Sequence, residues 1–583
     1  MSSGILRLIQ SPHPSQEDIQ LFLLEGDATV PIREVVPDKG VTLSHQLARR
    51  SLASRRLKIL HINDFHHHLS DFSRIARQIR ELRSRYQDDP SAAILAMSAG
   101  DDMIGSLFDE LLVSKDPVHA AYAFYSAAGI NVSVIGNHDL DLGIEPLAKG
   151  IRQDAHFPVL SANLRNCHQL KNLYYPAAIF VAKGIRVGVI GLTTIAQVRK
   201  PLGTDLEIAD PVSVIQNLLP AIRPLCDVII ILSHLGYDQA ARWVETPIDC
   251  AGDVELAEAL PKGSVDLIVG SHSHNVLNEN GISAENIVNG IPIVQAGSFG
   301  DYLGQVDISL EKNLVTSVSA NLIATEGLPR DRDFEEKEMQ PLMDRVKKIE
   351  SEILGRVDDA PELGTGAVKN GFAIGELAFA NFITDGMAEE LRKSGYEIDL
   401  AMMDVSNMVT GLPFGENLTF GDWFKVMPYA DTVRLYKLTG RELFNLIEEN
   451  ITRMDMPGEE QQERGFLQFS KEIRYTVDLD VRRIENVEVM GVPLKENLNS
   501  VFIAATSIFT RELAGKWEAV KSESGASIVK LQNFPHQETD IYLRKLLVAY
   551  IREQSGITKT GGAKLDGRLQ IIKTPPHSPE HLL

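Results

Sequence analysis

Potential metal ligands follow five short apolar segments in the first half of the chain. The segments LKILHI, AAILAMS, NVSVI, DVIIILS and VDLIVGS are followed by carboxylate, amide or imidazole side chains, namely Asp64, His66, Asp101, Asn137, His234, His272 and His274. This set contains no thiolate and suits hard or borderline divalent ions such as Mn²⁺, Zn²⁺, Mg²⁺, Co²⁺ or Fe²⁺. A carboxylate can bridge two such ions about 3.5–4 Å apart, the spacing found in two-metal phosphatases. The set therefore predicts a site for two divalent ions that activates water to hydrolyse a phosphate ester.

No single one of these motifs is diagnostic. A lone histidine at a strand end is more often a hydrogen-bonded or surface residue than a ligand, and His66-His67-His68 alone is compatible with a chance cluster. The combination, in chain order and at five strand ends, favours one shared site, because ligands of open α/β sheets bind beyond the carboxyl ends of the strands.

The surrounding elements predict an α/β fold. Between residues 57 and 324, β-branched runs alternate with amphipathic stretches such as FSRIARQIRELRSR, in which Phe72, Ile75, Ile79 and Leu82 recur at helical spacing. The nearly continuous apolar strands indicate sheets that are covered on both faces.

The chain is predicted to divide into five segments. They are an N-terminal extension (1–55), a first α/β domain (56–325), a linker helix (326–355), a second α/β domain (356–572) and a disordered tail (573–583). In the linker, Leu342, Val346, Ile349 and Ile353 share one helical face, and Gly355 is the expected C-cap.

The composition of the chain limits the kinds of partner that it can bind. The formal net charge of −21 over 583 residues argues against a nucleic-acid polymer, because such binding needs Lys and Arg to displace counterions. Bound cations would still allow a phosphorylated substrate.

Cys167, Cys226 and Cys250 are too few for a disulfide framework and are expected to be free thiols. The chain shows neither a signal-peptide pattern nor an apolar run long enough to span a bilayer, so we expect a cytoplasmic protein without a membrane partner. A signal peptide removed beforehand would leave the same pattern, and the oligomeric state stays open.

The motifs resemble the five sequence blocks of calcineurin-like metallophosphoesterases. The matching stretches are Asp64-x-His66, Gly100-Asp101, Gly136-Asn137-His138-Asp139, His234 and Gly270-Ser271-His272-Ser273-His274. More narrowly, LKILHINDFHHHL, SAGDDMIGS, GNHDLDLG and LSHLGYD resemble the 5'-nucleotidase / UDP-sugar hydrolase / 2',3'-cyclic-nucleotide phosphodiesterase family. The resemblance covers residues 57 to about 570. It implies a four-layer α/β sandwich followed by a smaller α/β domain that recognises the substrate.

The resemblance also implies a role for each residue. One ion would be bound by Asp64, His66 and His274, the other by Asn137, His234 and His272, with Asp101 bridging both. His138 and Asp141 resemble the family's catalytic dyad, in which Asp141 holds the His138 ring and favours its cationic form. The cationic ring would stabilise charge on the phosphate and protonate the leaving group.

The second domain resembles the family less closely. Tyr429 follows Pro428 as a stacking aromatic does in the family, and Phe509 is the second candidate. Two aromatics can sandwich a flat base, although both residues could equally be core aromatics. Val409 and Phe372 stand where family nucleotidases carry arginines, so weak recognition of nucleoside 5'-monophosphates is expected.

These features favour hydrolysis of nucleotide phosphates and leave two alternatives. One is a phosphoesterase of a non-nucleotide or sulfur-containing substrate with a divergent specificity domain. The other is an inactive binding module, against which the complete ligand set and the His138–Asp141 pair argue. Replacement of the missing clamp by Arg434, Arg441 or Arg511 would restore nucleotide selectivity.

Overall fold

The chain forms two compact units, residues 1–346 and 347–583. The computed structural model describes residues 4–13, 19–41, 54–195, 204–238, 251–370, 375–413, 415, 417–452, 454, 466–508, 531 and 534–572. Several predicted features lie outside the described residues, namely Cys250, Phe372, Phe509, Arg511 and the tail 573–583. No helix among the described residues is long and apolar enough to cross a membrane.

Two large sheets make up the first unit. The nine-stranded sheet runs in the order Ile287–Val288, Ile291–Val294, Leu267–Val269, Val228–His234, Ile185–Thr193, Ala177–Ala182, Ile19–Glu25, Gly4–Gln10, Ile32–Pro37. The seven-stranded sheet runs in the order Leu314–Ala324, Tyr302–Glu311, Ser54–Ile62, Ala92–Ser98, Val132–Val134, Val159–Leu160, Tyr174–Tyr175. The main helices of this unit are Phe72–Tyr86, Asp109–Leu112, Ala120–Ala128, Ile144–Gln153, Pro211–Ile222 and Asp253–Ala259.

These elements form four layers. One core lies between the two sheets and joins residues such as Leu57 and Ile59 of the seven-stranded sheet to Val187 and Ile230 of the nine-stranded sheet. The outer face of the nine-stranded sheet packs against helix Pro211–Ile222. Helix Phe72–Tyr86 lies on the outer face of the other sheet, with the predicted stripe Phe72, Ile75, Ile79 and Leu82 buried. The predicted α/β sandwich is thus present, and its central strands, such as Ala177–Ala182 and Val228–His234, are buried along their whole length because both faces are covered.

The N-terminal segment is not the separate extension expected from its turn signals. Strands Gly4–Gln10, Ile19–Glu25 and Ile32–Pro37 continue the nine-stranded sheet, and Ile19–Glu25 pairs antiparallel with Ala177–Ala182. The alternation of Leu6 and Leu8 with exposed neighbours is the strand signal that the turn-rich spacers obscured.

The expected linker helix is shorter than predicted. Helical structure covers Arg332–Phe334, a π-helical turn Glu335–Met339 and Gln340–Glu350, while Ile353 and Gly355 belong to strand Ile353–Val357. Gly355 is therefore not a C-cap. The stripe of apolar residues ran on into a strand because a short apolar run cannot be assigned by its periodicity alone.

The second unit contains three small sheets. Their strand orders are Leu467–Phe469, Leu400–Asp404, Val501–Ser507, Thr432–Thr439, His536–Tyr542 for the first, Val492–Pro493, Arg483–Val489, Ile473–Asp478, Leu569–Ile572 for the second, and Asn417–Thr419, Ile353–Val357, Gly556–Ile557 for the third. Its helices are Thr365–Asn370, Ala378–Lys393, Phe420–Val426, Gly440–Ile451 and Leu543–Glu553. Helix Gly440–Ile451 begins at a capping box in which the Thr439 and Glu442 side chains each accept the other residue's backbone N–H. This unit is a second α/β domain, as predicted.

Candidate metal centre

The predicted ligands lie at the carboxyl ends of neighbouring strands in the first unit. Asp64, Asp101 and Asn137 follow three adjacent parallel strands of the seven-stranded sheet. His234 ends one strand of the nine-stranded sheet, and His272 and His274 follow the adjacent parallel strand. Since the two sheets pack face to face, these five strand ends bring all seven side chains to one edge of the sandwich.

A first group of ligand atoms comes from Asp64, His66 and His274, which lie within 4.8 Å of one another. The Nδ1 atom of His66 donates to the carbonyl oxygen of Ile104 at 2.9 Å, so its Nε2 atom carries the lone pair. This Nε2 atom lies 3.2 Å from Nε2 of His274, which is itself 3.6 Å from a carboxylate oxygen of Asp64. Three electron-pair donors thus face one small volume.

A second group comes from Asp101, His234 and His272, again within 4.8 Å. His234 donates from Nδ1 to the carbonyl of Ala99 at 2.8 Å, which leaves its Nε2 lone pair facing the other members. This Nε2 atom is 3.0 Å from Oδ2 of Asp101 and 3.1 Å from Oδ1 of Asn137.

The second group calls for positive charge at its centre. A lone-pair nitrogen that faces two oxygens is repelled unless a proton or a metal cation lies between them. Burial by itself lowers the pKa of His234, but the Asp101 carboxylate outweighs it and raises the pKa to about 9. Burial also acts to raise the pKa of Asp101, yet His234 and His138 hold it well below its usual range. The donor set therefore fits divalent cations, which supply the same charge.

Asp101 links the two groups. Its Oδ2 atom is 3.0 Å from Nε2 of His234 and 3.9 Å from Nε2 of His66, one residue of each group. Its Oδ1 atom accepts a hydrogen bond from the backbone N–H of His138 at 2.9 Å, which fixes the orientation of the carboxylate. The side chain is fully enclosed, with 1% of the residue exposed.

Two residues that are not among the predicted ligands, Asn63 and Ser271, hold the carboxylate of Asp64 in place. Asn63 donates from Nδ2 to Oδ2 of Asp64 at 2.8 Å, and Ser271 donates its hydroxyl to the same oxygen at 2.8 Å. The backbone N–H of His272 donates to both carboxylate oxygens. Asn63 directly precedes Asp64, and Ser271 directly precedes His272. This adjacency to predicted ligands is the one feature of the sequence that could have indicated their supporting role.

His138 and Asp141 form the expected pair. Nδ1 of His138 lies 2.7 Å from Oδ2 of Asp141, the His138 side chain is 24% exposed, and Asp141 is buried. Burial by itself lowers the pKa of His138, but Asp141 and then Asp101 outweigh it and raise the pKa to about 10. These carboxylates favour the cationic form of the ring, and Asp141 occupies Nδ1 and leaves Nε2 to face other partners.

A third group of carboxylates is of a different kind. Glu389, Glu390 and Glu553 of the second unit also lie within 4.8 Å of one another. The ammonium group of Lys393 forms ion pairs with all three side chains. Since Lys393 already supplies the cation, this group resembles a surface ion-pair network rather than a metal site.

Tyr429 is presented by an anchored loop in the second unit. The side chain is 52% exposed, which excludes the core-aromatic alternative for this residue. The buried guanidinium of Arg544 donates to the carbonyl oxygens of Met427, Pro428 and Tyr429 at 2.9, 2.9 and 3.2 Å. Phe509, the other predicted aromatic, lies outside the described residues, so no second ring is placed beside Tyr429.

Val409 and Arg434, the residues considered for the arginine clamp, both lie in the described part of the second unit. Val409 is 38% exposed and offers no charge. Arg434, one possible replacement, is engaged by Glu538 at 2.5 Å and by the Tyr436 hydroxyl at 3.0 Å.

The chain matches two family models. Residues 57–276 match the calcineurin-like phosphoesterase model, and residues 354–521 match the model of the 5'-nucleotidase C-terminal domain. The chain belongs to the family that joins these two domains, and it is a hydrolase of that metallophosphoesterase class.

Curated relatives align with about three quarters of the chain. The chain is 27% identical over 460 residues to a 5'-nucleotidase of Vibrio cholerae, covering 73% of this chain and 78% of the relative. It is 26% identical over 480 residues to Protein UshA of Yersinia enterocolitica, covering 76% and 83%.

Solved structures share the fold. A 5'-nucleotidase precursor from Thermus thermophilus covers 89% of this chain and 100% of its own, with a TM-score of 0.53 and 23% identity. The NAD nucleotidase of Haemophilus influenzae covers 90% and 100%, with a TM-score of 0.54 and 18% identity.

Proposed function

We propose that this protein hydrolyses the phosphate ester of a nucleotide at a two-metal centre. The observation that carries the proposal is the position of Asp101 between two groups of ligand atoms. A carboxylate shared by two sites is what a binuclear phosphoesterase requires. Asp64, His66 and His274 would hold one ion, Asn137, His234 and His272 the other, with Asp101 in both sets.

Divalent ions at such a centre lower the pKa of water and neutralise charge on a phosphate ester. The protein contributes a rigid set of ligands: His66 and His234 are each fixed by a hydrogen bond from Nδ1 to a backbone carbonyl. A fixed tautomer and ring orientation raise metal affinity. The Nδ2 group of Asn137 is buried and has no hydrogen-bond partner among the described residues, so it can donate to a phosphate oxygen.

His138 is proposed as the proton donor. Its Nε2–H is available because Asp141 occupies Nδ1, and the partly exposed ring can reach a bound ester. It would donate to a phosphate oxygen while the bond to the leaving group breaks, and then pass the proton to the leaving oxygen.

Nucleotide recognition is assigned to the second unit. Tyr429 offers an exposed ring on a loop that Arg544 holds in place, and stacking on an aromatic face tolerates any base. The name of the Vibrio cholerae relative supports a nucleotide substrate for this chain as well.

Metal reconstitution followed by a substrate panel tests the proposal. We expect two ions per chain at saturation and metal-dependent release of phosphate from nucleotides. Binding of one ion or none would contradict the two-metal centre. Two bound ions with hydrolysis of non-nucleotide or sulfur-containing esters alone would keep the centre and reject the nucleotide.

A further inference from the structure

The three consecutive histidines of the NDFHHH motif have three different environments. His66 faces the candidate metal centre, His68 is exposed beside Phe299, and His67 points into the protein and is fully buried. The Nδ1 atom of His67 lies 2.5 Å from Oδ1 of Asp109, which is also buried. His67 therefore is not placed among the ligand atoms, although it is adjacent to one of them.

Asp109 organises the loop that borders His66. Its carboxylate accepts hydrogen bonds from the backbone N–H groups of Ile104, Gly105 and Ser106 at 3.0, 2.9 and 3.3 Å. Ile104 has a φ of +67°, a left-handed conformation that is a rare outlier for a β-branched residue. Such a conformation persists only where the surroundings enforce it, and the Asp109 carboxylate supplies that enforcement.

The same loop orients His66. The carbonyl oxygen of Ile104 accepts the hydrogen bond from Nδ1 of His66 at 2.9 Å. A Cβ atom on Gly105 would lie 2.8 Å from the carbonyl oxygen of His66, so the loop packs directly against the backbone of this ligand. The Ser106 hydroxyl also donates to the carbonyl oxygen of His67 at 2.7 Å and ties the loop to the motif from the other side.

We propose that the buried His67–Asp109 pair is the positioning unit of the first metal site. His67 and the loop N–H groups share the Asp109 carboxylate, the carboxylate holds Ile104 in its left-handed conformation, and Ile104 presents its carbonyl to His66. Loss of the pair lets the loop relax, so that His66 loses its fixed tautomer and ring orientation. The inference rests on the proposed function, because it assigns His66 to a metal ion. It predicts an effect on the site of Asp64, His66 and His274, and none on the site of Asn137, His234 and His272.

Metal binding to full-length variants tests this positioning role. His67→Leu removes the donor to Asp109, and His67→Asn keeps a donor near the Nδ1 position. Ser106→Ala keeps the His67–Asp109 pair but removes the hydrogen bond to the carbonyl of His67 and the longer one, at 3.3 Å, from the backbone N–H of Phe108. His119→Asn is the matched control: it removes a second buried imidazole, 5.5 Å from His67 between ring centroids, but keeps an acceptor for the N–H of Tyr122 at the helix start. The measurements are calorimetric titration with Mn²⁺ and electron paramagnetic resonance of the loaded protein, with thermal unfolding as a check that each variant is folded.

The wild type must first bind two Mn²⁺ ions with the spectrum of a coupled pair; failure at this step contradicts the proposed function itself. Given that result, His67→Leu should bind one Mn²⁺ ion roughly 10- to 100-fold more weakly and the other with unchanged affinity. With one ion added per chain, its electron paramagnetic resonance spectrum should be that of an isolated Mn²⁺ ion. Ser106→Ala should show a smaller loss at the same site, and His67→Asn and His119→Asn should resemble the wild type.

Folded His67→Leu protein with two unchanged affinities would overturn the inference. So would equal loss at both sites, or the same loss in His119→Asn. If His67→Leu does not fold, an unchanged affinity in Ser106→Ala would overturn it.

Discussion

Asp101 is the residue that we propose to serve both candidate metal sites. Its carboxylate lies within 4 Å of an imidazole nitrogen from each group, at 3.0 Å from Nε2 of His234 and 3.9 Å from Nε2 of His66. We therefore expect Asp101→Ala to weaken the binding of both ions, whereas Asp64→Ala should weaken the binding of one ion. Metal content after dialysis against a fixed concentration of free Mn²⁺ measures the difference.

Asp64→Ala is the matched comparison, because Asp64 is as deeply buried as Asp101. Retention of one tightly bound ion in Asp101→Ala would mean that Asp101 serves a single site, and the bridging role would be wrong.

His138 is expected to act on the substrate and not on the metals. Its Nδ1 atom is bound to Asp141 at 2.7 Å, and it is not a member of either ligand group. His138→Ala should keep both ions and lose activity by about 10²–10⁴-fold, the range for a positioned proton donor or charge stabiliser. Turnover at saturating substrate, with metal analysis of the same sample, measures both parts.

Asp141→Asn provides the graded control for His138. It keeps a hydrogen-bond acceptor beside Nδ1 but removes the charge that favours the cationic ring, so its loss should be smaller than that of His138→Ala. Loss of a metal ion from His138→Ala would contradict the assignment and make His138 a ligand.

The candidate ligands could be predicted from sequence, whereas the residues that support them could not. Asp64 or His234 is recognisable because it follows an apolar strand and carries a metal-binding group. Asp109 lies on a helix of four residues after a loop, and its role depends on the left-handed backbone of Ile104. A backbone conformation that is enforced by side-chain hydrogen bonds leaves no periodic pattern in the sequence.

At the scale of elements, strand ends explain why the site was predictable. Parallel strands such as Ser54–Ile62 and Ala92–Ser98 end at the same edge of a sheet, so residues distant in sequence meet there. Apolar periodicity, in contrast, does not distinguish helix from strand where the apolar runs are short or mixed. Strand Ile353–Val357 directly follows a helix with a similar apolar spacing, and Gly4–Gln10 is separated from its sheet by turn-rich segments.

A buried histidine within a strand makes the fold sensitive to acid. His61 lies on Ser54–Ile62 opposite Gly304, and a Cβ atom on Gly304 would lie 2.0 Å from its Nε2 atom, so glycine makes room for the ring. Burial lowers the pKa of His61 from 6.5 to about 4. The unfolded chain binds this proton near pH 6.5 and the folded chain only near pH 4, so the contribution of His61 to stability is fully present above pH 6.5. It falls as the pH is lowered and levels off below about 4.

We therefore expect His61→Phe, which cannot titrate, to have a flatter pH dependence of stability than the wild type. The difference corresponds to roughly 3 kcal/mol in the free energy of unfolding between about pH 7 and 4, since one pKa unit is about 1.4 kcal/mol. Denaturant unfolding of both proteins in EDTA at a series of pH values measures it. Parallel curves for the two proteins would contradict the neutral state of His61.

At the scale of the whole molecule, chemistry and specificity are assigned to different units. All candidate metal ligands and His138 belong to residues 1–346, whereas Tyr429 and Val409 belong to residues 347–583. A change in the second unit should therefore alter the choice of substrate without altering the turnover of an ester that has no base.

Tyr429→Ala should separate these two functions. Stacking of a base on an aromatic ring is worth about 1–3 kcal/mol, so KM for AMP should rise roughly 5- to 100-fold while kinetics with nitrophenyl phosphate stay unchanged. Leu565→Ala, which truncates another exposed side chain of the same unit, is the control and should change neither substrate. Equal effects of Tyr429→Ala on both esters would assign the residue to structure instead of recognition.

The wild type is expected to select poorly for AMP. Val409 carries no charge and Arg434 is engaged by Glu538, so we expect the charge-assisted contact that the family resemblance places at Val409 to be missing. Each lost contact of this kind costs about 1.5–3 kcal/mol, and two independent losses raise KM by about 10²-fold or more. The proposed metal centre does not depend on that contact, so nitrophenyl phosphate should be turned over at a rate comparable to AMP. Steady-state kinetics with both esters measures the ratio.

A micromolar KM for AMP with strong preference over nitrophenyl phosphate would show that another cation has replaced the clamp. Glu538→Gln then gives the matched test, because it releases Arg434 and should strengthen AMP binding only if Arg434 is the missing contact.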